Sequence, residues 1–190
     1  MYKTLLTDAR FHQLLLAIDT DIAAKRRTEG CGQCGGVLHS SRFHRKLRGA
    51  PAGLDDAYKK RFSFCCSVAE CRKRATPPSF RFLGRKVYLA AVVTLVSAMQ
   101  HGEKEARRQL SDLFSVSRRT VARWRDWWIS VFTAGPFWKA ASAAFMPPAD
   151  QSCFPLSLLD RFPGSFKERL LALLRLLKPI SGGASPMRAF

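Results

Sequence analysis

Cys31-Gly32-Gln33-Cys34-Gly35-Gly36 and Phe64-Cys65-Cys66-Ser67-Val68-Ala69-Glu70-Cys71 bracket the stretch on which the reading of this chain turns. Two cysteine pairs flank a basic insert. Four thiolates gathered from two such pairs suit a tetrahedral structural zinc site, which takes sulfur ligands and leaves no coordination position open. The glycines that follow Cys34 let backbone amides approach the sulfurs with no Cβ in the way. In the second pair, Cys66 stands four intervening residues from Cys71 and Cys65 stands five. Arg61-Phe62-Ser63-Phe64 alternates as a strand does, so Cys65 and Cys66 point to opposite faces and one of them is the ligand. The shorter spacer favours Cys66, which makes the expected zinc ligands Cys31, Cys34, Cys66 and Cys71. The competing readings are unrelated buried thiols or a redox CxxC, and two paired motifs argue for metal more strongly than a lone one. His39 and His44 are alternative ligands near the first pair, although four cysteines already complete a site.

Composition narrows the partner. The 190 residues carry a net charge of +18, and residues 31–86 hold thirteen Lys or Arg against three acidic residues. An excess of that size points to a polyanion. The hydrophobic content of 47% is enough for a packed core. Six cysteines in a basic chain whose first residues lack the pattern of a secretory signal do not read as a disulfide scaffold. The longest apolar run, Val87 to Met99, falls short of the ~20 residues that a membrane span needs. The expectation is a reducing, cytoplasmic setting, nucleoid-associated, with no membrane partner.

The predicted fold class is α+β: a small zinc ribbon of short antiparallel strands followed by a mainly helical domain. Residues 1–30 read as an N-terminal helix, with Asp8 able to cap and Phe11, Leu14, Leu15, Ile18 and Ile22 on one face. His12 reads as a surface or boundary residue. Residues 31–83 form the zinc-ribbon module, with strands at Val37 to Phe43 and Lys60 to Cys65 and a loop from Gly49 to Gly53. Its basic residues include Arg45, Lys46 and Arg48 in the insert and Arg72, Lys73 and Arg74 after the last cysteine. Aromatic residues interleave with them, which favours contact with nucleic acid over a plain solvated face. Thr76-Pro77-Pro78-Ser79 is a hinge candidate. A helix from about Gly84 to Gln100, apolar on nearly all sides, should lie at the centre of the helical part.

Residues 84–133 read as a helical domain, and residues 103–132 within it carry the second signal. A helix from Glu103 to Phe114, a turn at Ser115-Val116-Ser117 and a second helix through Arg118-Arg119-Thr120-Val121-Ala122-Arg123-Trp124 have helix-turn-helix spacing. Leu110, Phe114, Val116, Val121 and Trp124 would make the small core between the helices. Ser117 would cap the second helix. Arg118, Arg119 and Arg123 would then project outward, as a recognition helix presents its side chains to the major groove, with Arg119 expected to reach a base edge. Ser115 stands where such a turn usually has glycine. Residues 134–180 read as C-terminal helices. The last of them is capped by Ser165 with Glu168 and stopped by Pro179, and its Leu170, Leu173, Leu174 and Leu177 stripe either closes the core or supports a homodimer. Residues 181–190 read as a flexible tail.

A cysteine ribbon followed by this Ser115-to-Trp124 segment resembles the DNA-binding front end of bacterial insertion-sequence transposases and their accessory proteins. The resemblance covers about residues 31–132. It implies a zinc ribbon and helix-turn-helix that bind duplex DNA, with a transposase or other mobile-element protein as partner. In that family a separate RNase H-like domain cuts DNA with metal-bound carboxylates. Here only Asp150, Asp160 and Glu168 lie after residue 133, and a two-metal nuclease needs converging carboxylates. The expectation is a duplex-DNA-binding protein without catalytic activity, either a transposon-associated accessory factor or a transcriptional regulator. The alternative is an RNA-binding zinc-ribbon protein in which the helix-turn-helix is structural core.

Overall fold

A computed structural model describes residues 2–44, 54–83, 88–99, 108–109 and 112–182. It is an α+β protein in which a small strand unit, inserted after the N-terminal helices, abuts a larger helical core. Helices α1 (Tyr2–Thr7) and α2 (Ala9–Thr28) replace the single helix expected over residues 1–30. The break falls at Asp8, whose carboxylate accepts the Arg10 N–H and so starts α2 afresh. On α2, Phe11, Leu15, Asp19 and Ala23 recur four residues apart on the buried face. His12 is buried as well, which corrects the surface reading. Its Nε2 lies 2.6 Å from the Leu6 carbonyl and its Nδ1 3.2 Å from the Tyr58 hydroxyl. A carbonyl only accepts, so Nε2 carries the proton and Nδ1 is left to accept from Tyr58. Burial pushes the His12 pKa below its ordinary value, against the pull of the Leu6 carbonyl and Asp8, so the ring is neutral.

The strand unit has two sheets where the sequence suggested one hairpin. Strands β1 (Leu38–Ser40), β4 (Phe64–Cys66) and β5 (Arg74–Ala75) make an antiparallel sheet in the order β1-β4-β5, while β2 (Phe43–His44) pairs with β3 (Lys60–Arg61). Leu38 faces Cys66, His39 faces Cys65 and Ser40 faces Phe64 across the first ladder. One face of the larger sheet, with Leu38, Phe64 and Cys66, packs on Ala23 of α2 and on Cys31. The expected loop from Gly49 to Gly53 lies outside the described residues.

Thr76-Pro77-Pro78-Ser79 is not a free hinge. Prolines keep this segment out of helix and strand, but polar groups from both sides hold it in place. Arg61 donates to the Pro77 carbonyl at 3.1 Å and to the Ser181 carbonyl at 2.8 Å. The Ser79 N–H donates to Ser181 Oγ at 2.7 Å, and the Ser79 hydroxyl donates to Asp19. Arg81 then joins the two halves. It is fully buried, and its Nε lies 2.8 Å from the Asp19 carboxylate. Its Nη atoms donate to the carbonyls of Tyr58 at 2.6 Å and Lys60 at 3.0 Å. A buried guanidinium is tolerated only when its charge and its donors are both met, and here both are.

Helix α3 (Ala90–Ala98) is buried at every residue, as its all-round apolar sequence predicts. It begins later than Gly84, because Leu89 is still extended and bridges to Phe82; residues 84–87 and 100 lie outside the described residues. Helix α4 (Arg118–Asp126) packs against α3 and continues into a π-helical stretch, Trp127–Phe132. The wider π turn, with its i to i+5 spacing, brings Phe132 beside both Trp127 and Trp128, with ring centroids 5.5 and 5.1 Å apart. Phe132 in turn meets Trp138 of α5 (Pro136–Ala141), and Trp138 meets Phe154 edge-on at 5.0 Å. The short α6 (Leu156–Leu159) leads to α7 (Phe166–Ser181).

The capping box at the start of α7 forms as expected, with Ser165 Oγ accepting the Glu168 N–H and Glu168 accepting the Ser165 N–H. Leu170, Leu173, Leu174 and Leu177 are buried in the main core, so this stripe closes the core and is not a dimer seam. Pro179 does not stop α7. It sits on the exposed face of the last turn, and the helix runs on because Ile180 and Ser181 are buried beyond it. Ser181 is therefore a packed, hydrogen-bonded residue; residues 183–190 of the expected tail lie outside the described residues.

Candidate metal centre and basic helix

The register of β1 and β4 decides which neighbouring cysteine turns inward. Cys66 shares a face with Phe64 and Leu38, whereas Cys65 shares the opposite face with His39 and Arg74. Cys65 Sγ points at the Arg72 carbonyl. Cys31, Cys34, Cys66 and Cys71 place their four Sγ atoms within 4.8 Å of one another. Two of these separations are 3.7 Å (Cys31–Cys71) and 3.4 Å (Cys34–Cys66). A metal bonded to four sulfurs at about 2.3 Å makes a tetrahedron with edges of about 3.8 Å, so the spacing fits a metal ion. It is far longer than the roughly 2.05 Å of a disulfide, and all six thiols of the chain are free. His39 is exposed on the outer sheet face, away from this group, and nothing is described of the His44 side chain. Among the described residues the metal-holding group contains cysteines alone.

The backbone around the sulfurs is built in two matching halves. In each pair the amide two residues beyond a cysteine donates to its sulfur: Gln33 to Cys31, Gly36 to Cys34, Val68 to Cys66 and Lys73 to Cys71. To turn those amides inward, the residue after the second cysteine of each pair takes a left-handed conformation. It is Gly35 at φ +71° in the first half and Arg72 at φ +42° in the second. Glycine adopts that conformation freely and arginine does not, so the second half is held against a local cost. Gly36 is needed for a different reason. A Cβ there would fall 2.7 Å from Val68 Cγ2 and 3.1 Å from Cys66 Sγ.

Four thiols this close cannot all ionise by themselves. The Cys31 thiol is pulled down to about 6, first by the Gln33 N–H and then by the Cys34 N–H. The others are pushed up. The Gly36 N–H favours the Cys34 thiolate more than any single group opposes it, but the Cys66 and Cys31 sulfurs and loss of water together outweigh it. The Val68 and Lys73 N–H groups favour the Cys66 and Cys71 thiolates, yet loss of water and crowding by the other sulfurs win. One thiolate forms easily, and a bound cation is what would allow the rest to follow.

The second set of expected site residues lies on α4. Residues 108–109 and 112–113 are helical, Leu110 lies outside the described residues, and a turn at Phe114 and Ser115 precedes α4. Ser115 takes the glycine-like conformation the turn needs, at φ +49°. Ser117 caps α4 by accepting the Thr120 N–H at 3.3 Å. Phe114, Val116, Val121 and Trp124 are buried, and the Trp124 ring meets Tyr88 edge-on at 5.1 Å. Arg118, Arg119 and Arg123 are exposed on the other side, as are Arg72, Lys73 and Arg74 on the ribbon. Arg45, Lys46 and Arg48 lie outside the described residues.

Two features escaped the sequence reading. Thr120 Oγ1 sits between Ser117 Oγ at 3.0 Å and Arg123 Nη2 at 3.2 Å; the i, i+3, i+6 spacing of these three polar residues was the available signal. The Asp19–Arg81 pair was foreshadowed only by an aspartate four residues from both Leu15 and Ala23, on a face that otherwise reads as apolar. No protein-family model matches the chain, and neither a curated protein nor a solved structure matches it.

Proposed function

We propose that the protein binds duplex DNA through α4, stiffened by a zinc ion held by Cys31, Cys34, Cys66 and Cys71, and that it serves a mobile element as an accessory factor or regulator. The observation that carries the reading is the two-sidedness of α4. Val121 and Trp124 are buried while Arg118, Arg119 and Arg123 stand exposed on a helix capped at Ser117. Three outward arginines on a rigid helix end suit base edges and phosphates of a major groove. The net charge of +18 supplies the long-range attraction. Zinc is the metal favoured by an all-thiolate tetrahedral donor set, and in such a site it is structural.

Binding rather than cleavage is supported by what the late carboxylates do. Asp150 caps Ser152, Asp160 pairs with Arg169 at 3.4 Å and Glu168 completes the α7 capping box. Each is engaged in its own cap or ion pair, Asp160 across nine residues from the end of α6 to α7. No helix among the described residues is long and apolar enough to cross a membrane.

The ribbon's role on DNA is electrostatic in this reading. Replacing Arg72, Lys73 and Arg74 together, with glycine at 72 to suit its left-handed backbone and alanine at 73 and 74, is expected to weaken binding to all duplexes alike. The slope of log affinity against log salt should flatten by about 0.9 for each phosphate that is no longer neutralised. Fluorescence anisotropy over a salt series measures it. An unchanged slope would show that this cluster faces bulk solvent.

A further inference from the structure

Arg123 differs from Arg118 and Arg119, the two other arginines of α4 assigned to DNA above. Its Nη2 donates to Thr120 Oγ1 at 3.2 Å, and Thr120 Oγ1 is tied to the cap residue Ser117 at 3.0 Å. Ser117 in turn is fixed to the backbone N–H of Thr120. A long helical side chain lies back over the preceding turn. The Thr120 bond therefore holds the Arg123 guanidinium toward the N-terminal end of α4, the end that enters a groove. A hydroxyl donates one proton and accepts two bonds, so Thr120 serves both neighbours at once. Nη2 spends one of its two N–H groups on Thr120. The guanidinium keeps its four other N–H groups, and a planar guanidinium with adjacent donors free can pair with the O6 and N7 of guanine. Among the described residues no hydrogen bond or ion pair engages the side chains of Arg118 and Arg119.

We infer that Thr120 is a positioning residue that sets Arg123 to read one guanine, while Arg118 and Arg119 take phosphates; the inference rests on the duplex-DNA reading of α4. It moves the base contact from Arg119, where helix position alone puts it, to Arg123. The reason is preorganisation: a fork already fixed loses less freedom on binding than one that must be ordered, and a fixed fork is also what discriminates between bases.

The test uses a duplex library with a randomised core, selected by the full metal-loaded protein and sequenced, on the parent and on Thr120→Val, Thr120→Ser, Arg123→Ala and Arg119→Ala. Valine keeps the branched shape and removes the hydroxyl. The expected result is that the parent enriches a guanine that Arg123→Ala no longer selects. Thr120→Val should lose roughly tenfold preference at the same position with an unchanged melting temperature and salt slope. Thr120→Ser should restore the preference, and Arg119→Ala should weaken all sequences evenly. If Thr120→Val selects as the parent does while Arg123→Ala does not, Thr120 positions nothing. If Arg119→Ala erases the guanine and Arg123→Ala keeps it, the assignment is reversed and overturned. A parent that selects no sequence overturns the duplex-reading role of α4 itself, and the inference with it.

Discussion

Stripping the metal with a chelator is expected to lower the unfolding temperature reported by the tryptophans, although none of them lies in the cysteine ribbon. Trp124, Trp127, Trp128 and Trp138 are all in the helical half, so their fluorescence reports that half alone. Metal binding at a structural four-cysteine site contributes on the order of 10 kcal/mol to folding, and without it the short strands β1, β4 and β5 have little to hold them. The strand unit's 57–60 segment supplies the Tyr58 and Lys60 carbonyls that receive Arg81. Hydrogen bonds to a charged group contribute about 1.5–3 kcal/mol each. Losing both should lower the tryptophan transition on the order of 10 °C, at about 2–4 °C per kcal/mol for a chain of this size. Cys34→Ser should behave like the chelated parent. A tryptophan transition that stays in place while thiol titration shows the four cysteines released would mean that the two halves fold independently.

Arg81→Met is the second large effect. It leaves the Asp19 carboxylate buried, still bonded to Ser79 and the Phe80 N–H but with no cation beside it. Removing one partner of a buried pair costs about 3–5 kcal/mol, whereas replacing both with apolar groups of similar size is often close to neutral. An Asp19→Asn, Arg81→Met double variant keeps an acceptor for Ser79 and the Phe80 N–H, so it should recover the part of the loss due to the unpaired charge but not the part due to the Tyr58 and Lys60 carbonyls. Equilibrium denaturant unfolding of the three proteins decides it. A single variant within about 1 kcal/mol of the parent would show that the pair is not what joins the halves, since that is the ordinary size of an indifferent substitution.

What could be read in advance was what depends on neighbours in sequence. The strand alternation around Phe64 put Cys65 and Cys66 on opposite faces and the shorter spacer favoured Cys66, and the ladder with β1 turns Cys66 inward. Ser117, Ser165 and Asp8 cap helices because capping is decided within three residues. What could not be read was what depends on distant partners. Asp19 and Arg81 are 62 residues apart, and neither local pattern names the other. Pro179 stays inside α7 because Ser181 is bound by Ser79 and Arg61 from elsewhere in the chain. The same contacts turn a Pro-Pro segment that reads as a hinge into a clamp. Ser115 marks the boundary between the two kinds of information. Its glycine-like turn was foreseen as a requirement of the motif, and serine meets it at φ +49°.

The central claim is that α4, on a metal-stabilised fold, binds duplex DNA. The most direct measurement is equilibrium binding of the zinc-loaded protein to a duplex DNA and to a folded RNA of equal length, each over a salt series. The account predicts tighter binding to the duplex, a log–log slope of about −0.9 for each phosphate neutralised, and loss of the preference on replacing Arg118, Arg119 and Arg123 together by alanine. Equal or tighter binding to the RNA, unaffected by those three substitutions, would contradict it and leave α4 as structural core.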